Sequence, residues 1–425
     1  MIYIVGVIFV IAGGLGMPLA FALGLSAVGG MLAAGLPLTQ IPVRIAYSLD
    51  SFSLMAIPLF MVAGQLMVYG GIMERLIDFA NAVVGRVRGG LAHVTVVTSM
   101  GLSSISGTAV ADAAALGSTL GPPLTKAYGK SFGAAVVASA STLGPTIPPS
   151  AGKIVYVAAT QNVSIAALFM AGVVPGIMYA LLMMAACSII AYRRGYPLTG
   201  EHFSLSKVFY EVRRSLIVFM MPVVVIGGIA IGAFTATEGA GIAVAYALFI
   251  GFFITRKLKI SHLPKVLLNA AVITGVVGAL IAFASTVTYI FTVEMLAQSL
   301  AGLMQSATEN PYIFLFFVVV LLLVIGMVME ANAVILMLAP LLAPIADSYG
   351  IDPLLFGMVF VTMVTLGGLT PPVGILLFVV SGIWRLSIGK LSMEVLPFLG
   401  LFFVVVLSFI LYPPIVTAFP KFLGY

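Results

Sequence analysis

Hydrophobic positions along this chain fall in long uninterrupted runs, without the alternation of a half-buried strand or the three-to-four spacing of an amphipathic surface helix. Polar stretches divide them at residues 39–50, 74–90, 126–130, 193–214, 256–265, 294–311 and 385–394. A bilayer core takes roughly 20 apolar residues per helical crossing, so the runs predict membrane-spanning helices. Residues 37–53 and 74–88 mix charged and apolar positions, which predicts helices lying along the interface.

Composition agrees: 62% of residues are hydrophobic and 8% charged, with a mean hydropathy of +1.24, too little charge to coat a water-soluble surface. The fold class is an all-α polytopic membrane protein, and 425 residues leave room for roughly a dozen spans or half-spans. The single cysteine, Cys187, sits in an apolar run and supports neither a disulfide framework nor a Cys-based metal site. Met1 leads directly into apolar residues 2–12 with no basic region or cleavage motif, which reads as a retained first helix. The net charge of +6 is scattered between spans without aromatic interleaving, a pattern of topology signals and not of nucleic-acid binding.

The chain repeats itself. Thr142-Leu143-Gly144 followed by Pro148-Pro149 recurs as Thr365-Leu366-Gly367 followed by Pro371-Pro372, both pieces offset by 223. Residues 116–129 resemble 338–350, and Glu74 with Leu76 lines up with Glu294 and Leu296. Arg86, Arg88, Lys126 and Lys130 flank the first copy, whereas Glu294, Glu309, Asp347 and Asp352 flank the second, and no Lys or Arg lies between Lys265 and Arg385. Basic loops stay cytoplasmic, so the copies form an inverted repeat, the common plan of secondary transporters. The expected division is 1–90 and 193–311 for scaffold and interfacial arms, and 91–192 and 312–425 for two halves of a transport domain, each with a hairpin and a broken helix.

Two interruptions occur in each copy. Polar tips at 103–108 and 326–332 separate apolar arms of about 14 residues, roughly 21 Å of helix, predicting two re-entrant hairpins. The Pro-Pro elements at 144–150 and 367–373 predict two discontinuous helices whose freed carbonyls need partners. Broken backbone at membrane depth is tolerated where it lines a cavity or ion site. A tip set against each Pro-Pro loop would offer oxygen ligands to Na⁺, although such breaks also serve merely to kink helices for packing.

Glu330, inside a run with no nearby base, is a candidate by its cost in the membrane. It could ligate a cation, carry a proton, contact a substrate hydroxyl or amide, or stay protonated against a neighbouring helix. Asn332 adds an amide, and Ser104 and Ser150 add hydroxyls at a tip and a Pro-Pro element, so the substrate is expected between the tips. Glu238 reads as a carboxylate at a helix N-terminus, Asp112 as serving the first turn of a hairpin arm, and Lys153 either as a partner for an acidic substrate or as a snorkelling lysine. His93, His202 and His262 lack metal-ligand spacing. No HExxH, Asp pair or Ser-His constellation supports an enzyme.

The motifs SSISG, TLGPTIPPS, ATEGAG and TLGGLTPPVG, with GMPLAFALG at the start, resemble the large membrane (M, or DctM-like) subunit of tripartite ATP-independent periplasmic (TRAP) transporters over essentially the whole chain. The resemblance implies an elevator-type, sodium-coupled importer of a carboxylate organic acid, of sialic acid or C4-dicarboxylate type, in a bacterial inner membrane. It implies a soluble periplasmic substrate-binding protein and a small four-helix membrane subunit, separate here because no N-terminal fusion is present. It implies at least two Na⁺ sites, one at Ser103, Ser106, Gly144, Ile147 and Pro149, the other at Gly326, Gly367, Thr370 and Val373, mainly through carbonyls. The family pattern carries Asp where this chain has Glu330, one methylene longer. A proton-coupled organic-anion transporter working without a binding protein is the alternative that shares the inverted repeat.

Overall fold

A computed structural model describes residues 2–198 and 204–425, so His202 lies outside the described residues. These residues form helices with no named strand among them, only an isolated bridge between Arg88 and Leu198. Eight helices are long and apolar enough to cross a membrane, among them Leu205–Ala230 and Ile388–Leu411.

The repeat is visible in the order of elements. Gly90–Ser106, Ala109–Tyr128, Lys130–Ser141, Ala151–Thr160 and Ile165–Ala171 are matched by Pro311–Val328, Ala331–Ser348, Pro353–Gly367, Ile375–Trp384 and Ile388–Leu411, with start offsets between 221 and 224. The correspondence of Glu74 with Glu294 does not survive in these elements: Glu74 is inside the helix Ile72–Val84, whereas Glu294 terminates Leu263–Val293, before the next helix begins at Leu296. Bases stand at the base of the first hairpin and carboxylates at that of the second, so the hairpins enter from opposite sides.

Hairpin arms run longer than the sequence pattern predicts, at 17 and 20 residues in the first and 18 in each arm of the second. The serines of the first tip explain the difference. Ser104 Oγ donates to the Gly101 carbonyl and Ser103 and Ser106 to Asp112, so their hydroxyls do not compete with the helix backbone. The first arm therefore continues to Ser106 and breaks only at Gly107, whose φ of +63° is left-handed.

Lys130–Ser141 and Pro353–Gly367, the helices before the two breaks, are buried on all sides over residues 132–141 and 355–367, as befits apolar helices at the centre of a membrane core. The repeats interlock around them. Ala151–Thr160, which follows the first break, packs on the second hairpin's arm Ala331–Ser348, and Ile375–Trp384 packs on the first hairpin's arm Ala109–Tyr128. Gly117 and Gly121 make room there for the Trp384 ring, and Trp384 Nε1 donates to Thr125 Oγ1 at 3.0 Å.

Outside this centre, Leu263–Val293 is 31 residues long, about 46 Å of helix, and packs on Leu19–Ala33, Gln40–Leu49 and Ala56–Tyr69. Gln40–Leu49 buries no residue within the chain, and its Arg44 guanidinium stands 4.2 Å from the Tyr289 ring centroid. The other predicted interfacial helix, Ile72–Val84, is tied by Glu74 to Lys257 at 2.9 Å and by Asp78 to Arg214 at 3.3 Å.

Candidate ion and substrate site

Each hairpin tip lies against the Pro-Pro loop of its own repeat. The Gly107 carbonyl accepts from Ala151 N at 3.3 Å, and a Cβ on Gly107 would lie 2.6 Å from the Pro149 carbonyl oxygen. On the same side a Cβ on Gly144 would lie 2.8 Å from Asp112 Oδ2 and 3.1 Å from the Thr108 carbonyl oxygen. Asp112, fully buried, accepts from Ser103 Oγ at 3.0 Å and from Ser106 Oγ. It lies in the first turn of its helix as expected, but its carboxylate binds serines of the preceding arm.

Ser103 also accepts Gly107 N through its carbonyl at 3.3 Å. Pro148 has no N–H for the Gly144 carbonyl four residues back, and Pro371 none for Gly367. Ile147 is extended after the short helix Leu143–Thr146, with its side chain against Gly176.

The second tip is closer still. A Cβ on Gly367 would lie 2.6 Å from Gly326 Cα and 3.0 Å from the Leu323 carbonyl oxygen. Gly374 N donates to the Met327 carbonyl at 2.9 Å, stitching the tip to the residue after half-buried Val373. Thr370 N donates to the Gly367 carbonyl at 2.9 Å and Thr370 Oγ1 to the Leu366 carbonyl at 2.7 Å. Both clusters present only oxygens, the donor set a hard cation takes, and the glycines remove the side chains that would fill them. The residues fit Na⁺.

Between the tips is a cavity of about 640 Å³. Thr108, Ala109, Glu330 and Asn332 line it from the tips, and Gln65 and Asn269 from the outer helices. Helices beginning at Ala109, Ala151, Ala331 and Ile375 all start at its wall, so four positive helix ends converge there. No Lys or Arg lines it. Glu330 caps the second arm: Oε2 accepts from Ala333 N at 3.1 Å and Oε1 from Asn332 Nδ2 at 2.8 Å.

Ser104 and Ser150 do not line the cavity. Ser104 bonds back to Gly101, and Ser150, fully buried, caps the helix Ala151–Thr160 by accepting from Lys153 N at 3.4 Å. Lys153 neither snorkels nor lines the cavity: its side chain is fully buried and Nζ donates to the Thr146 carbonyl at 2.7 Å. Glu238 forms a capping box with Thr235, as the sequence predicts. His93 is buried with Nε2 2.9 Å from Ser188 Oγ, and His262 Nδ1 accepts from Lys259 N. Sequence reasoning missed Thr108, Gln65 and Asn269 as cavity residues. The two amides carried the signal that singled out Asn332, a polar group inside an apolar run.

Paired hairpins and broken helices around one cavity, within a bundle of spanning helices, define a polytopic membrane transporter. The crystal structure of the Alcanivorax borkumensis YdaH transporter shares this fold, with a TM-score of 0.62 at 15% identity over 91% of this chain and 90% of that one. Residues 4–415 match the family described as "Tripartite ATP-independent periplasmic transporter, DctM component". The chain is 37% identical over 386 residues to the C4-dicarboxylate TRAP transporter large permease protein DctM of Pseudomonas aeruginosa, covering 91% of this chain and 90% of the relative. It is 34% identical over 379 residues to the sialic acid TRAP transporter large permease protein SiaM of Vibrio cholerae, covering 89% and 88%. The chain belongs to the DctM family of TRAP large permeases. It is therefore a transporter component of the bacterial inner membrane and not an enzyme.

Proposed function

We propose that this permease imports a carboxylate organic acid, of C4-dicarboxylate or sialic acid type, in symport with at least two Na⁺ ions. A periplasmic binding protein delivers the acid, and a small four-helix membrane subunit completes the transporter. The observation that carries the reading is the joint position of the two tips: each meets an all-oxygen Pro-Pro loop on one side and the shared 640 Å³ cavity on the other. Cations in the loops would fix the tips and supply the positive charge that the cavity's side chains lack.

In this reading the acid's carboxylate lies toward the converging helix ends, and Glu330 with Asn332 faces its hydroxyl or amide groups. The hairpins and broken helices then move as one body past the outer helices, carrying acid and ions together in an elevator step. The test is uptake of labelled succinate and sialic acid into proteoliposomes holding the chain with its small subunit and binding protein, with and without an inward Na⁺ gradient. Uptake that needs Na⁺ and the binding protein supports the proposal. Uptake driven by a proton gradient, without Na⁺ or binding protein, would overturn it in favour of a proton-coupled organic-anion transporter.

A further inference from the structure

The two Pro-Pro loops are not held alike. Beyond its Pro-Pro pair the first helix resumes at Ala151, and the second at Ile375, an offset of 224. The residue two positions on is Lys153 in the first half and Leu377 in the second, both fully buried. Lys153 Nζ reaches back across the break to the Thr146 carbonyl at 2.7 Å, and no ion pair involves it among the described residues.

Gly172 accommodates this contact. A Cβ there would collide with both Lys153 Nζ and the Thr146 carbonyl oxygen, and a Cβ on Gly176 would collide with the Ile147 side chain. These two glycines open the helix Val173–Arg193 and the residue before it to the back of the loop. The front of the loop, at Gly144 and Pro149, faces Asp112, Thr108 and Gly107 of the tip. A buried polar group needs a partner, and here lysine and carbonyl satisfy each other on the side away from the tip.

We infer that Lys153 is a positioning residue that braces the first Pro-Pro loop from behind, so that this loop keeps its shape without Na⁺ while the second loop depends on Na⁺ for order. The inference rests on the sodium reading only for that second clause. A loop already in its binding geometry loses less conformational freedom when an ion enters, so the first site fills at lower Na⁺ than it would without the lysine.

Hydrogen exchange on the full chain purified with its small subunit, in NaCl against choline chloride, tests this. In choline chloride the wild-type amides of 147–152 should exchange several-fold more slowly than those of 370–376, and Na⁺ should slow chiefly the second loop. Lys153→Met should speed exchange of the first loop several-fold in choline chloride, with recovery in NaCl. Gly172→Ala, which displaces Nζ but keeps the lysine, should do the same, and the wild-type comparison stands even where a variant fails to fold. Equal exchange of both loops in Na⁺-free wild type, or an unchanged first loop in both variants, would overturn the brace. A first loop loosened by Lys153→Met in a protein whose loops ignore Na⁺ would leave the brace standing and remove the sodium reading.

Discussion

Gly326 and Gly367 touch backbone to backbone: a Cβ added to Gly367 would lie 2.6 Å from the Cα of Gly326. The second hairpin tip and the second broken helix are thereby joined at a point where neither chain has a side chain to move aside. Everything on the ion side of that tip depends on this approach.

Gly367→Ala should therefore push the tip from its loop, with a loss of about 1–3 kcal/mol from overpacking and transport lowered at least tenfold. Reconstituted uptake and the thermal stability of the purified transporter measure the two effects. Wild-type uptake in the variant would show that the tip can move without consequence.

Asp112 is the only carboxylate that gathers side chains at the first tip, accepting from Ser103 and Ser106. Asp112→Ala would strand two buried hydroxyls at about 1–3 kcal/mol each and raise the Na⁺ concentration for half-maximal uptake. Ser103→Ala should give a smaller rise in the same direction. A Na⁺ titration of uptake, run beside a melting curve, separates an ion effect from simple instability.

Glu330 joins a structural duty to a proposed one. Glu330→Gln retains a carbonyl oxygen for Ala333 N while removing charge, and should raise the substrate KM with little change in Na⁺ dependence. Glu330→Ala should in addition cost about 1 kcal/mol through the lost cap. If Gln and Ala behave alike in KM and in stability, the carboxylate does no more than fill space.

At the interface, burial pulls the Glu74 carboxyl up, but its hydrogen bonds and the charge of Lys257 outweigh this and hold it below the usual carboxylate value. The sign follows: the stabilisation is complete above the unfolded carboxylate's pKa and disappears as pH falls through the lower folded one. Both side chains are 53% exposed, so Glu74→Gln should lose under about 1 kcal/mol. Thermal melts at neutral and acidic pH, in low and high salt, should show that difference shrinking with acid and with salt.

Much of this architecture is written locally. Apolar run length prescribes helices, and the matched spacing of Thr142-Leu143-Gly144 to Pro148-Pro149 with Thr365-Leu366-Gly367 to Pro371-Pro372 prescribes two broken helices. A proline removes a donor wherever it stands, so the freed carbonyls of Gly144 and Gly367 follow from the sequence by itself. The capping role of Glu238 is likewise legible, because capping box partners lie three residues apart.

Contacts between distant residues are different. Sequence alone left Ser104 and Ser150 as substrate residues and Lys153 as snorkelling or substrate-binding. Which way a side chain faces across a break depends on what packs behind it. Only the tertiary structure decided that Gly172 leaves Lys153 its place, that each helix crosses to the other repeat's hairpin after its break, and that Gln65 and Asn269 close the cavity. Periodicity and punctuation act over a few residues and set the elements; packing joins residues hundreds of positions apart and sets the site.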